Sequence, residues 1–330
     1  MDLFPVVTIA LGSLSVPAYP VALILGVLVA SAIFLASADR FSLKPPQARR
    51  LLLLGIVSGL LFARLVYSLV RYEYLFFDAM DGRFLGLGPF FDLREGGLSL
   101  FGMLFGVWFA AVVDARFARG KAAPRLDALA LPLAVLIAIT RFVEILAGQG
   151  YGGALETAWL RFFPLSIQDA YGDWLTAVFA LEGQVALAIA VYLVYSQRTT
   201  KRPEDSLYLR LMVPLCAAQI FLESLRRDDY LRLEGNGFVR VSQVLALVFL
   251  VVVTAWLTWR LVKTGRPWQR SITSWLALLV AAGTALAAEF YEKLPLSIPL
   301  LYTVSALAQG VLMAVLLRFV QHVLQETANT

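Results

Sequence analysis

Residues Val241–Trp259 read VSQVLALVFLVVVTAWLTW, 19 consecutive residues without a charged side chain. A helix rises about 1.5 Å per residue, so a run of this length spans about the hydrocarbon core of a bilayer. Basic residues follow at once: Arg260, Lys263, Arg266 and Arg270. An apolar run closed by lysine and arginine encodes a membrane span and its cytoplasmic end. Working outward, comparable runs lie at Val21–Ala36, Leu51–Val70, Leu98–Ala115, Leu126–Leu146, Trp174–Tyr195, Leu209–Leu225, Trp275–Ala288 and Pro299–Phe319. The sequence thus predicts an all-α, polytopic membrane helix bundle of eight or nine spans, the run at Trp275 being the shortest.

Composition agrees. Of 330 residues, 60% are apolar and 15% charged, and mean hydropathy is +0.76. Soluble domains carry about 25% charged residues, and no polar stretch here is long enough to build one. The single cysteine, Cys216, rules out an internal disulfide and a cysteine zinc site. The single histidine, His322, rules out histidine metal clusters and Ser-His-Asp or Cys-His sets. No metal and no cofactor is expected. The net charge of +5 sits in short loops between apolar runs, which argues for topology and against nucleic acid. Met1–Ala18 holds one charge, Asp2, unlike a basic signal peptide, so it is expected to remain on the mature protein.

Alternate loops carry the basic residues: Arg40, Lys44, Arg49 and Arg50; then Arg116, Arg119, Lys121 and Arg125; then Arg198, Lys201, Arg202 and Arg210; then the set after Trp259. This places the N-terminus outside and, with nine spans, the C-terminus in the cytoplasm. The two long loops on the other side, Arg71–Gly96 and Gly148–Asp173, are rich in glycine and aromatic residues. They suit the lipid headgroup level, either as an aromatic belt or as a gate for a lipid substrate. Gly55-x-x-x-Gly59 and Gly102-x-x-x-Gly106 predict that the second and third spans pack closely.

Charges inside or at the edges of spans are the main functional signal. A charge at a helix centre costs about 2.5–3.5 kcal/mol on insertion scales and is kept where it meets a cavity or a partner. Here they are Arg64, Arg141, Glu144, Glu182, Glu223 and Arg226, nearly all toward the outer helix ends. Three arginines at one level suggest a cationic chamber for a phospholipid headgroup, because guanidinium binds phosphate through paired hydrogen bonds. Equally, Arg141/Glu144 and Glu223/Arg226 are i, i+3 pairs that can neutralise each other on one helix face. The residues alone leave both readings open.

At these positions the chain resembles the prolipoprotein diacylglyceryl transferases, from about Ser15 to Trp259. Val16-Pro17-Ala18-Tyr19 resembles that family's Ile-Arg-Trp-Tyr, and Ala63-Arg64-Leu65-Val66-Tyr67 its Ala-Arg-Leu-Gly-Tyr. Glu95-Gly96-Gly97-Leu98-Ser99-Leu100-Phe101-Gly102 resembles Glu-Gly-Gly-Met-Ser-Phe-His-Gly. Thr140 to Gly152 resembles the long signature Gly-Arg-Ile-Gly-Asn-Phe-Ile-Asn-Gly-Glu-x-x-Gly, keeping Arg141, Gly148 and Gly152. Leu181-Glu182-Gly183, Phe221-Leu222-Glu223-Ser224-Leu225-Arg226 and Ser242-Gln243-Val244-Leu245 follow in family order.

The resemblance implies transfer of diacylglycerol from phosphatidylglycerol to the lipobox cysteine of a preprolipoprotein, with release of glycerol phosphate. It implies Arg141, Glu223 and Tyr19 as catalytic residues, with Glu144, an acid the family lacks there, as a further catalytic candidate, and Arg64, Arg141, Arg226, Gly97 and Ser99 as the headgroup site. The implied partners are phosphatidylglycerol or another anionic phospholipid and a prolipoprotein signal peptide, in a bacterial inner (plasma) membrane. There are departures. Phe101 stands where the family has histidine, and Gln219 where it has arginine; Glu144 and Ala147 replace two asparagines, Gln149 replaces a glutamate, and the family's His-Pro-x-Gln stretch is absent. The alternatives are a catalytically degenerate homologue that binds anionic lipid or lipoprotein, or a helix-bundle subunit of a membrane complex. Residues 1–265 are expected to form a seven-helix transferase-like domain. Residues 266–330 are expected to add two transmembrane helices.

Overall fold

A short antiparallel hairpin, β1 (Thr8–Leu11) and β2 (Leu14–Pro17), leads into α1 (Ala18–Ser37) and α2 (Pro45–Val70) in the computed structural model. It describes residues 3–11, 14–78, 81–92, 97–199, 206–228, 231–232, 240–289 and 298–328. Two short helices, α3 (Tyr72–Phe76) and α4 (Gly88–Phe91), precede α5 (Leu100–Phe117) and α6 (Ala123–Phe142). A second small hairpin, β3 (Ser166–Gln168) with β4 (Trp174–Thr176), connects to α7 (Val178–Thr199) and α8 (Ser206–Leu225). The chain closes with α9 (Val241–Lys263), α10 (Ile272–Glu289) and α11 (Ile298–Ala328).

Among the described residues, nine helices are long and apolar enough to cross a bilayer. The protein is an all-α multi-pass membrane bundle. Several boundaries differ from the sequence expectation, and three of the differences have a visible structural consequence. The fourth span ends at Phe142, not Leu146, because Glu144–Ala147 forms a 3-10 turn that closes on Gly148 in the left-handed region (φ 71°). The fifth begins at Val178, not Trp174, because Trp174–Thr176 pairs as a strand with Ser166–Gln168. The last helix runs past Phe319 to Ala328 and brings Glu326 within 3.5 Å of both Arg266 and Arg270.

Helix α8 is the axis of the bundle. Its most apolar window is 89% buried, and its hydropathy, 1.3, is the lowest of the nine. A helix surrounded by protein instead of lipid can carry polar side chains that find partners. The second and third spans do meet: a Cβ at Gly102 or Gly106 would collide with the carbonyl oxygen of Phe62 or Ser58. Ser58 Oγ donates to Gly106 O at 2.8 Å. Helices α10 and α11 pack against α8 and α9, and their Leu278, Ala281, Leu312, Leu316 and Val320 share one apolar core with Leu250 and Leu257.

Candidate functional site

At the end of the bundle that bears the β1–β2 hairpin, charges from α6, α7, α8 and two loops converge. Arg141, in the last turn of α6, donates to Glu144 at 2.8 Å and lies 3.2 Å from Glu182 of α7. Gly183 makes this approach possible, because a Cβ there would press on the Phe142 ring at 2.8 Å. Arg226 is 1% exposed. It donates to Glu144 at 2.8 Å and Asp228 at 2.6 Å, and lies 3.3 Å from Glu182. Glu144 therefore sits between two guanidiniums.

The expected Glu223/Arg226 pair is not what these ion pairs show. Helix α8 ends at Leu225, and the backbone of Arg226 bridges to Gly152. Arg226 has left the helix, so its side chain turns across to α6 and α7. Glu223 is held by Gln219 one turn earlier. The Gln219 amide donates to Glu182 and to Glu223 Oε1, both at 2.8 Å. Glu223 Oε2, although buried, receives no hydrogen bond, and its nearest ion-pair partner is Arg240 Nε at 3.7 Å.

Asp228 and Arg240 were not among the sequence candidates, since they flank a loop and belong to no apolar run. Asp228 accepts from Arg226, from Arg240 at 3.0 Å and from the backbone N–H of Gly150 at 2.7 Å. It thereby ties the glycine-rich loop after Glu144 to the segment after α8. Arg240 donates a second bond, 2.6 Å, to the carbonyl of Asp228. Burial would raise the Asp228 carboxyl, yet Arg226 and Arg240 hold it down at about 2. The same contest keeps Glu144 below its usual range: burial pushes up, and Arg226 with Arg141 outweigh it. For Arg240 burial prevails over Glu223 and Asp228, and its guanidinium is pushed below the ordinary value.

The expectation of a cationic chamber is thus corrected. Among the described residues, three guanidiniums (Arg141, Arg226, Arg240) face four carboxylates (Glu144, Glu182, Glu223, Asp228). Tyr19 lies within electrostatic reach of Arg141, Glu144 and Arg226. A pocket of about 420 Å³ is lined by Phe4, Val6, Ala147, Gly148, Gln149 and Tyr151, so the segment following Glu144 forms part of its wall.

The remaining candidates organise a neighbouring loop. Arg64 is 4% exposed and donates to the carbonyls of Pro89, Phe90, Asp92 and Gly97 at 2.6–3.1 Å. Gly97 has φ +82°, and a Cβ there would run into Arg64 and the Tyr67 ring. Ser99 caps α5 by accepting from Gly102 N, while its own N–H donates to Ala63 O. Glu95 and Gly96 lie outside the described residues. Phe101, at the family's histidine position, is buried in the apolar core.

Comparison with known proteins identifies the family. Residues 6–259 match the family described as prolipoprotein diacylglyceryl transferase. The chain is similar to a phosphatidylglycerol–prolipoprotein diacylglyceryl transferase of Listeria innocua serovar 6a, 26% identical over 267 residues, 79% of this chain and 92% of the relative. A protein of the same description from Fervidobacterium nodosum is 23% identical over 254 residues, covering 75% and 82%. One from Clostridium kluyveri is 27% identical over 186 residues, covering 55% and 70%. The family match ends at residue 259, before α10 and α11.

Proposed function

This chain belongs to the prolipoprotein diacylglyceryl transferase family, and from that premise we propose that it moves diacylglycerol from phosphatidylglycerol to a lipobox cysteine thiol. The observation that carries the reading is the pair of buried guanidiniums, Arg141 and Arg226, both bound to one Glu144 carboxylate at 2.8 Å. A carboxylate bridging two guanidiniums marks a seat that a phosphate fits, since both anions accept paired hydrogen bonds from arginine. In the reaction, negative charge gathers on the phosphate leaving group, and cations fixed in a low-dielectric site stabilise it without reorganising. The headgroup enters by taking the place of Glu144, whose short 3-10 turn is joined to the glycine-rich loop. Tyr19 stands beside the seat, and Arg64, Gly97 and Ser99 shape the loop next to it.

The native orientation has the N-terminus and this charged end outside a bacterial plasma membrane, with the basic loops and the C-terminus in the cytoplasm. Residues 1–265 are the transferase unit, and 266–330 are an added helix pair. In a Cys216→Ala background, a cysteine at Ala154 labels from outside intact cells and one at Ala122 does not; the reverse pattern overturns the orientation.

A second reading is favoured by the same observation. Glu144 already fills the seat, Phe101 cannot exchange a proton, and Gln219 carries no charge. A chain so altered binds anionic lipid or a lipoprotein without transferring anything. Purified protein with labelled phosphatidylglycerol and a lipobox peptide separates the two. Label in the peptide supports transfer, and lipid binding without label supports the second reading.

A further inference from the structure

Among the described residues, Glu223 is the one carboxylate of the buried cluster with an oxygen that receives no hydrogen bond. It is 2% exposed. Oε1 is held by Gln219 at 2.8 Å, while Oε2 has no hydrogen-bond partner. Leaving a buried polar atom in this state is unfavourable. Such a cost persists where the atom is kept for a ligand. Facing it at 3.7 Å is Nε of Arg240, too far for a hydrogen bond. Arg240 is not loose: its other nitrogens are anchored on the side chain and carbonyl of Asp228, at 3.0 and 2.6 Å. An anchored guanidinium and an unsatisfied acceptor therefore face each other across 3.7 Å.

We infer that Arg240 and Glu223 form the acceptor seat of the site, where the attacking thiol is bound and loses its proton. This rests on the transferase reading. The S–H donates to Glu223 Oε2, and Arg240 Nε–H points at the sulfur as it becomes a thiolate. A carboxylate beside a guanidinium can take a proton from a thiol, whose ordinary pKa is about 8.5 and falls next to a cation. The hydroxyl of a glycerol headgroup is far less acidic, so the seat favours a cysteine acceptor. The seat also lies close to the phosphate seat. Gln219 joins Glu223 to Glu182, and Glu182 Oε2 is 3.2 Å from Arg141 and 3.3 Å from Arg226. One amide and one carboxylate separate the two.

The step balances. The thiol proton passes to Glu223. A sulfur lone pair forms the C–S bond to the diacylglyceryl carbon. The C–O bond to phosphate breaks, and its electron pair leaves with glycerol phosphate, held by Arg141 and Arg226. Glu223 then returns its proton to the departing phosphate or to water. Arg240 thus supplies at Glu223 the positive charge that Gln219, one turn earlier on α8, does not carry. Among the described residues, the other charged groups acting on Glu223 are Glu182 from α7, Arg141 from α6 and Arg226 from the loop, and Asp228 reaches it through the shared Arg240.

The test uses the full chain in phosphatidylcholine nanodiscs, where no phosphatidylglycerol is present to react. A lipobox peptide carries a cysteine labelled with ¹³C at Cβ, whose chemical shift separates thiol from thiolate. At neutral pH the peptide bound to wild type shows the thiolate signature, which Arg240→Gln and Glu223→Gln each remove and Arg240→Lys keeps. A purely structural arginine lowers the amount of bound peptide and leaves its ionisation as in wild type. A thiolate signature that survives Arg240→Gln, or a bound thiol in wild type, overturns the seat even when phosphatidylglycerol discs yield labelled product. If the peptide does not bind wild type at all, the lipoprotein reading falls and the seat with it.

Discussion

Two buried charge clusters sit at opposite ends of the same bundle, and they are built differently. At the end bearing the basic loops, Asp114 is fully buried and accepts from Arg50 and Arg125, each at 2.5 Å. Arg125 also donates to the carbonyl of Lys121 at 2.6 Å. Nearby, Asp127 caps α8 by accepting from the N–H groups of Leu207 and Tyr208. Each carboxylate there is matched by local donors. At the hairpin end, carboxylates outnumber guanidiniums, one carboxylate bridges two arginines, and one oxygen receives nothing. Buried charge alone therefore does not mark a site. Both ends carry it, and only the second leaves capacity for a ligand.

The largest expected effect comes from removing the hub of that second cluster. Arg226→Ala leaves Asp228 to Arg240 and the Gly150 N–H, Glu144 to Arg141, and Glu182 to Arg141 and Gln219, which should cost about 3–5 kcal/mol of stability, the usual penalty for breaking a buried ion pair. Transfer should fall at least about a hundredfold as leaving-group stabilisation is lost. Thermal unfolding in detergent and the labelled-peptide assay read the two. Transfer at wild-type rate would mean that the hairpin end is only structural, like its opposite.

Asp114→Ala probes the other side. It should destabilise by about 3 kcal/mol, since Arg125 is left buried with one carbonyl, while transfer per folded molecule stays at the wild-type level. A selective loss of transfer at unchanged melting temperature would break the comparison from that direction.

Glu144→Gln keeps the shape of the phosphate seat and removes its resident charge. Phosphatidylglycerol should then bind about tenfold tighter, equivalent to about 1.4 kcal/mol, in a native mass-spectrometric titration. Unchanged or weaker binding would show that Glu144 holds the arginines in place for the lipid and does not compete with it.

The last effect is a pH dependence. The Asp228 carboxyl is held at about 2 in the fold, below its unfolded value of about 3.9. A depressed carboxyl stabilises the fold above its unfolded value, and that contribution is lost as pH falls through the folded one. Stability should hold down to about pH 4 and decline toward pH 2, following that interval. Asp228→Asn should flatten the decline in a melting-temperature series. An identical acid limb in both proteins would assign the loss to Glu144, the other carboxyl held low.

How much was legible beforehand differs between fold and site. The nine apolar runs are readable because a span must satisfy its own backbone and cover its surface with apolar side chains. The glycine pairs of α2 and α5 are readable because close packing needs small residues at a fixed spacing. In the site, Arg141, Glu144, Glu182, Glu223 and Arg226 stand out because charge in an apolar run is costly. Asp228 and Arg240 do not, because a charged residue in a loop is ordinary until the loop folds inward. The i, i+3 spacing of Glu223 and Arg226 misleads for a similar reason. It assumes a helix that continues, and α8 stops at Leu225.

The sequence by itself thus determined the membrane class, a count of eight or nine spans and the resemblance to the family, all of which rest on local composition or on ordered motifs. Tertiary structure alone decided which charge meets which. It set Glu144 between Arg141 and Arg226, committed Arg64 to the carbonyls of its own loop, and drew Arg240 up to Glu223. The physical reason is range. Hydropathy is a property of neighbours along the chain, whereas an ion pair depends on a few ångströms across helices far apart in sequence.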